Sequence, residues 1–152
     1  MEELKIKAHS PEETICFAKK LGKRLRGGEC IELQSDVGGG KTTFVRGLAE
    51  GAGSKDHVSS PTFTISKLYQ TKEFDIVHFD FYRLQEADLI AHEIEEAVHD
   101  SKTVIVVEWS EIVQHVLPKK RVDVHIRAID NQTREITVRV DRSFAYLIDQ
   151  IV

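Results

Sequence analysis

The stretch SDVGGGKTTF, residues 35–44, sets three glycines, a lysine and two threonines between a β-rich segment and an amphipathic one. Such a set suits phosphate. Phosphate oxygens need several backbone N–H donors converging on one concave loop. Glycine lets the chain turn there with no Cβ in the way. A helix beginning at the lysine adds its unpaired N–H groups and the positive end of its dipole. The frame is G-x-x-x-x-G-K-[ST], the Walker A or P-loop pattern, with Ser35 at the first glycine. The amides of Asp36, Gly38, Gly39 and Gly40, continuing into Lys41, Thr42 and Thr43, are the candidate cradle. Lys41 reaches the β and γ phosphates, and the Thr42 hydroxyl ligates Mg²⁺. Serine at position 35 is accommodated if φ stays negative and costs about 1 kcal/mol if φ must be positive. The competing reading is a glycine-rich turn without a ligand.

A phosphate loop needs a second anchor for the metal. VIVVEW supplies Glu108 at the end of a hydrophobic run, where an acid can hold Mg²⁺ directly or through water. In HFDFYR, residues 78–83, alternation sets Asp80 on the face opposite Phe79 and Phe81, and on the same face as His78 and Tyr82. A carboxylate there can orient an attacking water or support the metal shell. SSPTFT, residues 59–64, surrounds Pro61 with hydroxyls, Thr62 among them, and is a candidate loop that closes over a γ phosphate. Bland readings stand beside these: surface acids at strand ends for Glu108 and Asp80, a turn hydroxyl for Thr62, and a satisfied structural histidine for His78.

The elements that must position these residues are legible in outline. Residues 4–8 alternate as a first strand. Ser10, Pro11 and Glu13 form a helix start, followed by Ile15, Ala18, Leu21 and Leu25 at helical spacing. Residues 29–35 read as a strand ending at the glycines, and KTTFVRGLAEGAG as a helix stopped near Gly51 and Gly53. A hairpin turns at TKE, a helix follows over EADLIAHEIEEAV, and TVIVVEW is a strand covered on both faces. RVDVHIRAI and REITVRV form a second hairpin around DNQT, before a short terminal helix. The expected fold class is α/β: a P-loop NTPase-like layered fold, with a mostly parallel central sheet flanked by helices and added antiparallel hairpins.

The 152 residues suit one domain spanning 1–152, with 41% apolar and 30% charged residues. A formal charge of −4 gives little general attraction to a nucleic-acid backbone. The basic clusters KKLGKRLRG and PKKR read as solvated faces, with docking to a partner or tRNA as the functional option. Cys16 and Cys30 lack metal-ligand spacing and read as reduced thiols in or near the core. No apolar run approaches the roughly 18 residues of a membrane span, and the first residues lack a secretory signal's apolar segment, so a cytoplasmic location without membrane attachment is expected.

SDVGGGKTTFVRGLAEGAG, VSSPTFTI, VHFDFYRL and VIVVEW resemble, in order and spacing, the TsaE family of small ATPases of bacterial tRNA threonylcarbamoyl-adenosine biosynthesis. The likeness covers about residues 8–112, and HFDFYR with SPTF is its most distinctive part. It implies a P-loop fold that binds ATP or ADP with Mg²⁺ and hydrolyses ATP slowly. It also implies work with TsaB and TsaD, of which TsaD transfers the threonylcarbamoyl group, so that tRNA is met only through the complex. By this resemblance Lys41 binds phosphate, Thr42 and Glu108 ligate Mg²⁺, Asp80 is needed for hydrolysis and Thr62 is a switch residue. Trp109 resembles a family tryptophan near the nucleotide, packing on the base or on the core. The family usually has glycine at the place of Ser35 and often alanine at that of Gly39. No N-K-x-D base-reading motif accompanies the loop, which disfavours a GTPase. A small-molecule kinase, with Arg83 and PKKRVD as a thin candidate lid, and a non-catalytic nucleotide-binding adaptor remain the alternatives.

Overall fold

The computed structural model describes residues 1–35, 40–59, 66–80, 88–108 and 110–151. Among the described residues seven strands form one sheet: β1 (Glu2–Ala8), β2 (Cys30–Ser35), β3 (Ser66–Gln70), β4 (Asp75–Asp80), β5 (Thr103–Glu108), β6 (Val122–Ala128) and β7 (Arg134–Val140), in the order β1-β7-β6-β2-β5-β4-β3. The central pairings β6–β2, β2–β5 and β5–β4 are parallel. Both expected hairpins, β3–β4 and β6–β7, extend the sheet outward as antiparallel pairs, and β1 closes it on β7. The turns have local causes. Thr71 Oγ1 donates to the Phe74 carbonyl at 2.6 Å. Asp130 Oδ1 accepts from the N–H groups of Gln132 and Thr133 at 2.9 and 2.8 Å, which hold its carboxyl below the usual range.

Helices α1 (Pro11–Gly22) and α2 (Lys41–Gly51) cover one face of the sheet. Ser10 caps α1, accepting from Glu13 N at 3.1 Å, and Pro11 takes the first helical position. The buried stripe of α1 is Thr14, Phe17, Ala18 and Leu21, whereas Ile15 is half-buried and Cys16 is exposed. The expectation of two thiols in or near the core therefore holds only for Cys30, whose burial pushes its thiol up to about 12. α2 runs to Gly51, and that glycine does more than end the helix. A Cβ on it would lie 2.1 Å from the Lys19 carbonyl oxygen, and one on Gly47 2.7 Å from Ala18 Cβ. The two helices touch backbone to backbone, which locks α2 and its N-terminus against the sheet.

The other face is covered in part by α3 (Asp88–Val98) and a 3-10 helix over Ser110–Val116 that the sequence reading did not anticipate. Strand alternation sends Ile31, Leu33, Val104 and Val106 into the core under α1 and α2, and Cys30, Ile105 and Val107 to the α3 side. The terminal helix is a 3-10 turn over Arg142–Leu147. It is tied down by Tyr146, whose hydroxyl donates to buried Glu29 at 2.6 Å while the Arg26 guanidinium lies 3.8 Å from its ring centroid. Arg24 donates to the carbonyls of Tyr146 and Asp149. These two members of the first basic cluster thus hold the chain end. Among the described residues, no helix is long and apolar enough to cross a membrane.

Candidate functional site

In parallel sheets, ligands collect beyond the carboxyl ends of the strands, where the chain leaves the sheet and helix N-termini point. Here β2, β5 and β4 end together. Leu33 lies opposite Glu108, and Glu108 opposite Asp80. Period-two alternation then sets Ser35, Glu108, Asp80 and His78 on the face that carries α2.

The helix itself is prepared for an anion. Gly40 caps α2 with φ 99° and ψ 20°, a left-handed conformation that strains any side chain with a Cβ, and among the described residues no side chain caps the helix. The first intrahelical bond runs from Phe44 N to the Gly40 carbonyl at 3.0 Å. The N–H groups of Lys41, Thr42 and Thr43 therefore have no acceptor within the helix, and α2 has no acidic residue in its first turn. Ser35 ends β2 paired with Ile126. Among the described residues the only positive-φ position other than glycine is Gln150, so the serine sits on the strand without strain.

Glu108 is the centre of the charge arrangement. Its side chain is 4% exposed, yet the Lys41 ammonium lies 3.9 Å from Oε1 and the fully buried His78 ring places Nε2 2.6 Å from Oε2. A carboxylate removed from water needs such partners, because desolvation otherwise drives it to its neutral form. Asp80, half-buried, ends the neighbouring strand on the same face. Near the other side of His78, Tyr69 lies with its ring centroid 6.4 Å from the imidazole. The Tyr69 hydroxyl donates to the Ser59 carbonyl at 3.0 Å, and Lys67 Nζ lies 2.7 Å from Ser59 Oγ. These bonds fix the residue from which SPTFT departs.

Of the residues singled out in the sequence, Gly40, Lys41, Thr42, Thr43, Asp80 and Glu108 thus gather at one end of the sheet. Asp36, Gly38, Gly39, Thr62 and Trp109 lie outside the described residues. His78, left as a structural histidine by the sequence, turns out to touch Glu108. Alternation signals that it shares a face with Asp80, but its partner comes from the β4–β5 register. Arg121, part of the candidate kinase lid, is bound to Glu32 at 2.8 Å on the opposite face, away from Lys41.

The comparisons with known proteins agree on one family. The family model for the threonylcarbamoyl adenosine biosynthesis protein TsaE matches residues 8–136. The Bacillus subtilis tRNA threonylcarbamoyladenosine biosynthesis protein TsaE is 37% identical over 138 residues, 90% of this chain and 85% of the relative. Its namesake from Treponema pallidum is 35% identical over 132 residues, 86% of this chain and 96% of the relative. A crystal structure of Bacillus subtilis YdiB matches with a TM-score of 0.80 and 32% identity, covering 99% of this chain and 94% of that one. The chain belongs to the TsaE family.

Proposed function

We propose that this protein binds ATP with Mg²⁺ beyond the carboxyl ends of β2 and β5, hydrolyses it slowly, and thereby supports a TsaB–TsaD complex in the threonylcarbamoyl-adenosine modification of tRNA in the cytoplasm. One observation carries the reading: the Lys41 ammonium stands 3.9 Å from a buried carboxylate, at the glycine-capped start of a helix whose first amides have no intrahelical acceptor. Family membership supports the pathway.

The residues fit both groups. Lys41, with the first amides of α2, neutralises phosphate charge through charge-assisted hydrogen bonds. The Thr42 hydroxyl and the Glu108 carboxylate are hard oxygen donors of the kind Mg²⁺ takes, and Glu108 already attracts a cation in the form of Lys41. Held by Thr42 and Glu108, Mg²⁺ would supply positive charge to offset the negative charge that develops during transfer. Asp80 is the carboxylate of the hydrolytic step, one strand away from Glu108. Thr62, three positions after Ser59 in the sequence, serves as the switch hydroxyl, and Trp109, next to Glu108 in the sequence, packs on the base or on the core. TsaD meets the tRNA, so an acidic chain suffices.

Calorimetric titration with Mg·ATP, and phosphate release measured alone and with TsaB and TsaD, test the reading. Binding, with release that rises in the complex, is expected. Absence of binding overturns it; binding without release in either case leaves an adaptor, and phosphate appearing on an added acceptor marks a kinase. Asp80→Ala should keep nucleotide affinity and lose turnover by about 100-fold or more, the usual scale for removing a group that assists proton movement.

A further inference from the structure

The ATP reading assigns no work to the most deeply buried polar side chain near Glu108. His78 has no solvent exposure, its Nε2 lies 2.6 Å from Glu108 Oε2, and its Nδ1 has no hydrogen-bond partner among the described residues. The β4–β5 register puts Val106 directly opposite His78, so the ring reaches one pleat further along the sheet to meet Glu108.

The protons can be assigned from chemistry. An ionised carboxylate only accepts hydrogen bonds, so Nε2 must carry the hydrogen. The Lys41 ammonium lies 3.9 Å from Oε1, the other oxygen of Glu108. Nε2 is then the hydrogen-bearing nitrogen that faces Glu108, and Nδ1 is the ring nitrogen without a partner among the described residues. The two oxygens of Glu108 are then divided, Oε2 toward His78 and Oε1 toward Lys41. A glutamate side chain has three torsions to restrain, and a fixed donor at one oxygen restrains them.

We propose that His78 is a positioning residue: as an Nε2–H donor it holds Oε2 of Glu108 and leaves Oε1 as the single oxygen that serves Lys41 and, with nucleotide bound, a hard divalent cation. This rests on the ATP–magnesium reading above. Hydrogen bonds to a metal-binding carboxylate commonly tune the affinity of the metal. A histidine that merely fills space would leave the magnesium response untouched.

Two substitutions separate the roles. His78→Gln keeps an N–H donor near the Nε2 position, and His78→Leu keeps apolar bulk without a donor. ATP affinity is measured with EDTA and with Mg²⁺. His78→Leu should hold metal-free affinity within about twofold and lose about tenfold of the magnesium-dependent gain, with His78→Gln recovering most of it. Equal weakening in both conditions, or a glutamine variant no better than leucine, overturns the proposal. Long-range ¹H–¹⁵N spectra of the unliganded wild-type protein should show a hydrogen on His78 Nε2; an Nε2 without hydrogen overturns it even if the leucine variant does not fold. A wild-type protein whose ATP affinity ignores Mg²⁺ overturns the parent reading as well, whereas a normal wild-type response with either adverse variant result overturns the histidine's role alone.

Discussion

Glu32 of β2 and Glu108 of β5 are buried on adjacent strands, on opposite faces of the sheet, and their surroundings differ. Glu32 is enclosed by donors: Arg121 Nε at 2.8 Å on one oxygen, with Gln34 Nε2 and Gln114 Nε2 at 3.0 Å on the other. Arg121 in turn donates to Gln114 and to the Pro118 carbonyl. Among the described residues Glu108 has one short partner, His78, and a lysine held at 3.9 Å, beyond hydrogen-bond length. The first acid fastens the segment that follows the Ser110–Val116 helix to the sheet. The second has an oxygen turned toward Lys41 at a helix N-terminus. A buried carboxylate surrounded by donors maintains structure, and the second arrangement suits the proposed metal-holding role.

Removing one partner from each acid should break the comparison in different ways. Arg121→Leu strands a buried charge and should cost about 3 kcal/mol or more of stability, read by denaturant unfolding, while nucleotide affinity of the folded protein stays unchanged. The double variant Glu32→Gln with Arg121→Leu should be more stable than Arg121→Leu alone; an equal loss would show that the pair's charge is irrelevant. Lys41→Ala should weaken ATP binding by about 1.5–3 kcal/mol per charge-assisted bond lost, read by calorimetry, with a smaller change in unfolding.

Asp123 sharpens the comparison through pH. It faces Glu32 across β2–β6, and burial, then the Glu32 charge, raise its carboxyl above the ordinary value, against the opposing pull of Arg121. A carboxyl raised on folding binds its proton more tightly in the folded state. Ionised Asp123 therefore weakens the fold above its folded pKa, and the penalty fades as pH falls through that value toward the unfolded one. Asp123→Asn should raise Tm at neutral pH and lose that advantage toward the unfolded carboxylate range near pH 4. An advantage that grows on acidification would reverse the sign argued here. The smallest effect is expected at Ser35→Gly: nucleotide affinity should stay within about twofold, since the serine is unstrained, with up to about 1 kcal/mol lost to backbone entropy. A marked loss of affinity would reveal a contact made by the serine.

Much of this was legible from the chain. Ser10-Pro11 announces α1 because capping is local, and the two hairpins follow from alternation interrupted by polar turns. Lys41 and Glu108, singled out by type and position because a phosphate loop and a strand-end acid are short-range patterns, lie 3.9 Å apart in the fold. Cys16 was misjudged because a thiol beside an apolar helix stripe can point outward as well as into the core. Arg121 read as a solvated cation, since the acid that claims it lies 89 residues earlier.

By itself the sequence determined where strands and helices begin, which loop suits phosphate, and which acids stand at strand ends. All of these depend on neighbours within a few residues, through φ preferences, caps and side-chain periodicity. Only the tertiary structure decided that β2 lies between β5 and β6, that Gly47 and Gly51 bring α2 onto α1, and that His78 meets Glu108. Those outcomes belong to strand register and helix packing, which are set by the burial of the whole core and by no local stretch of it.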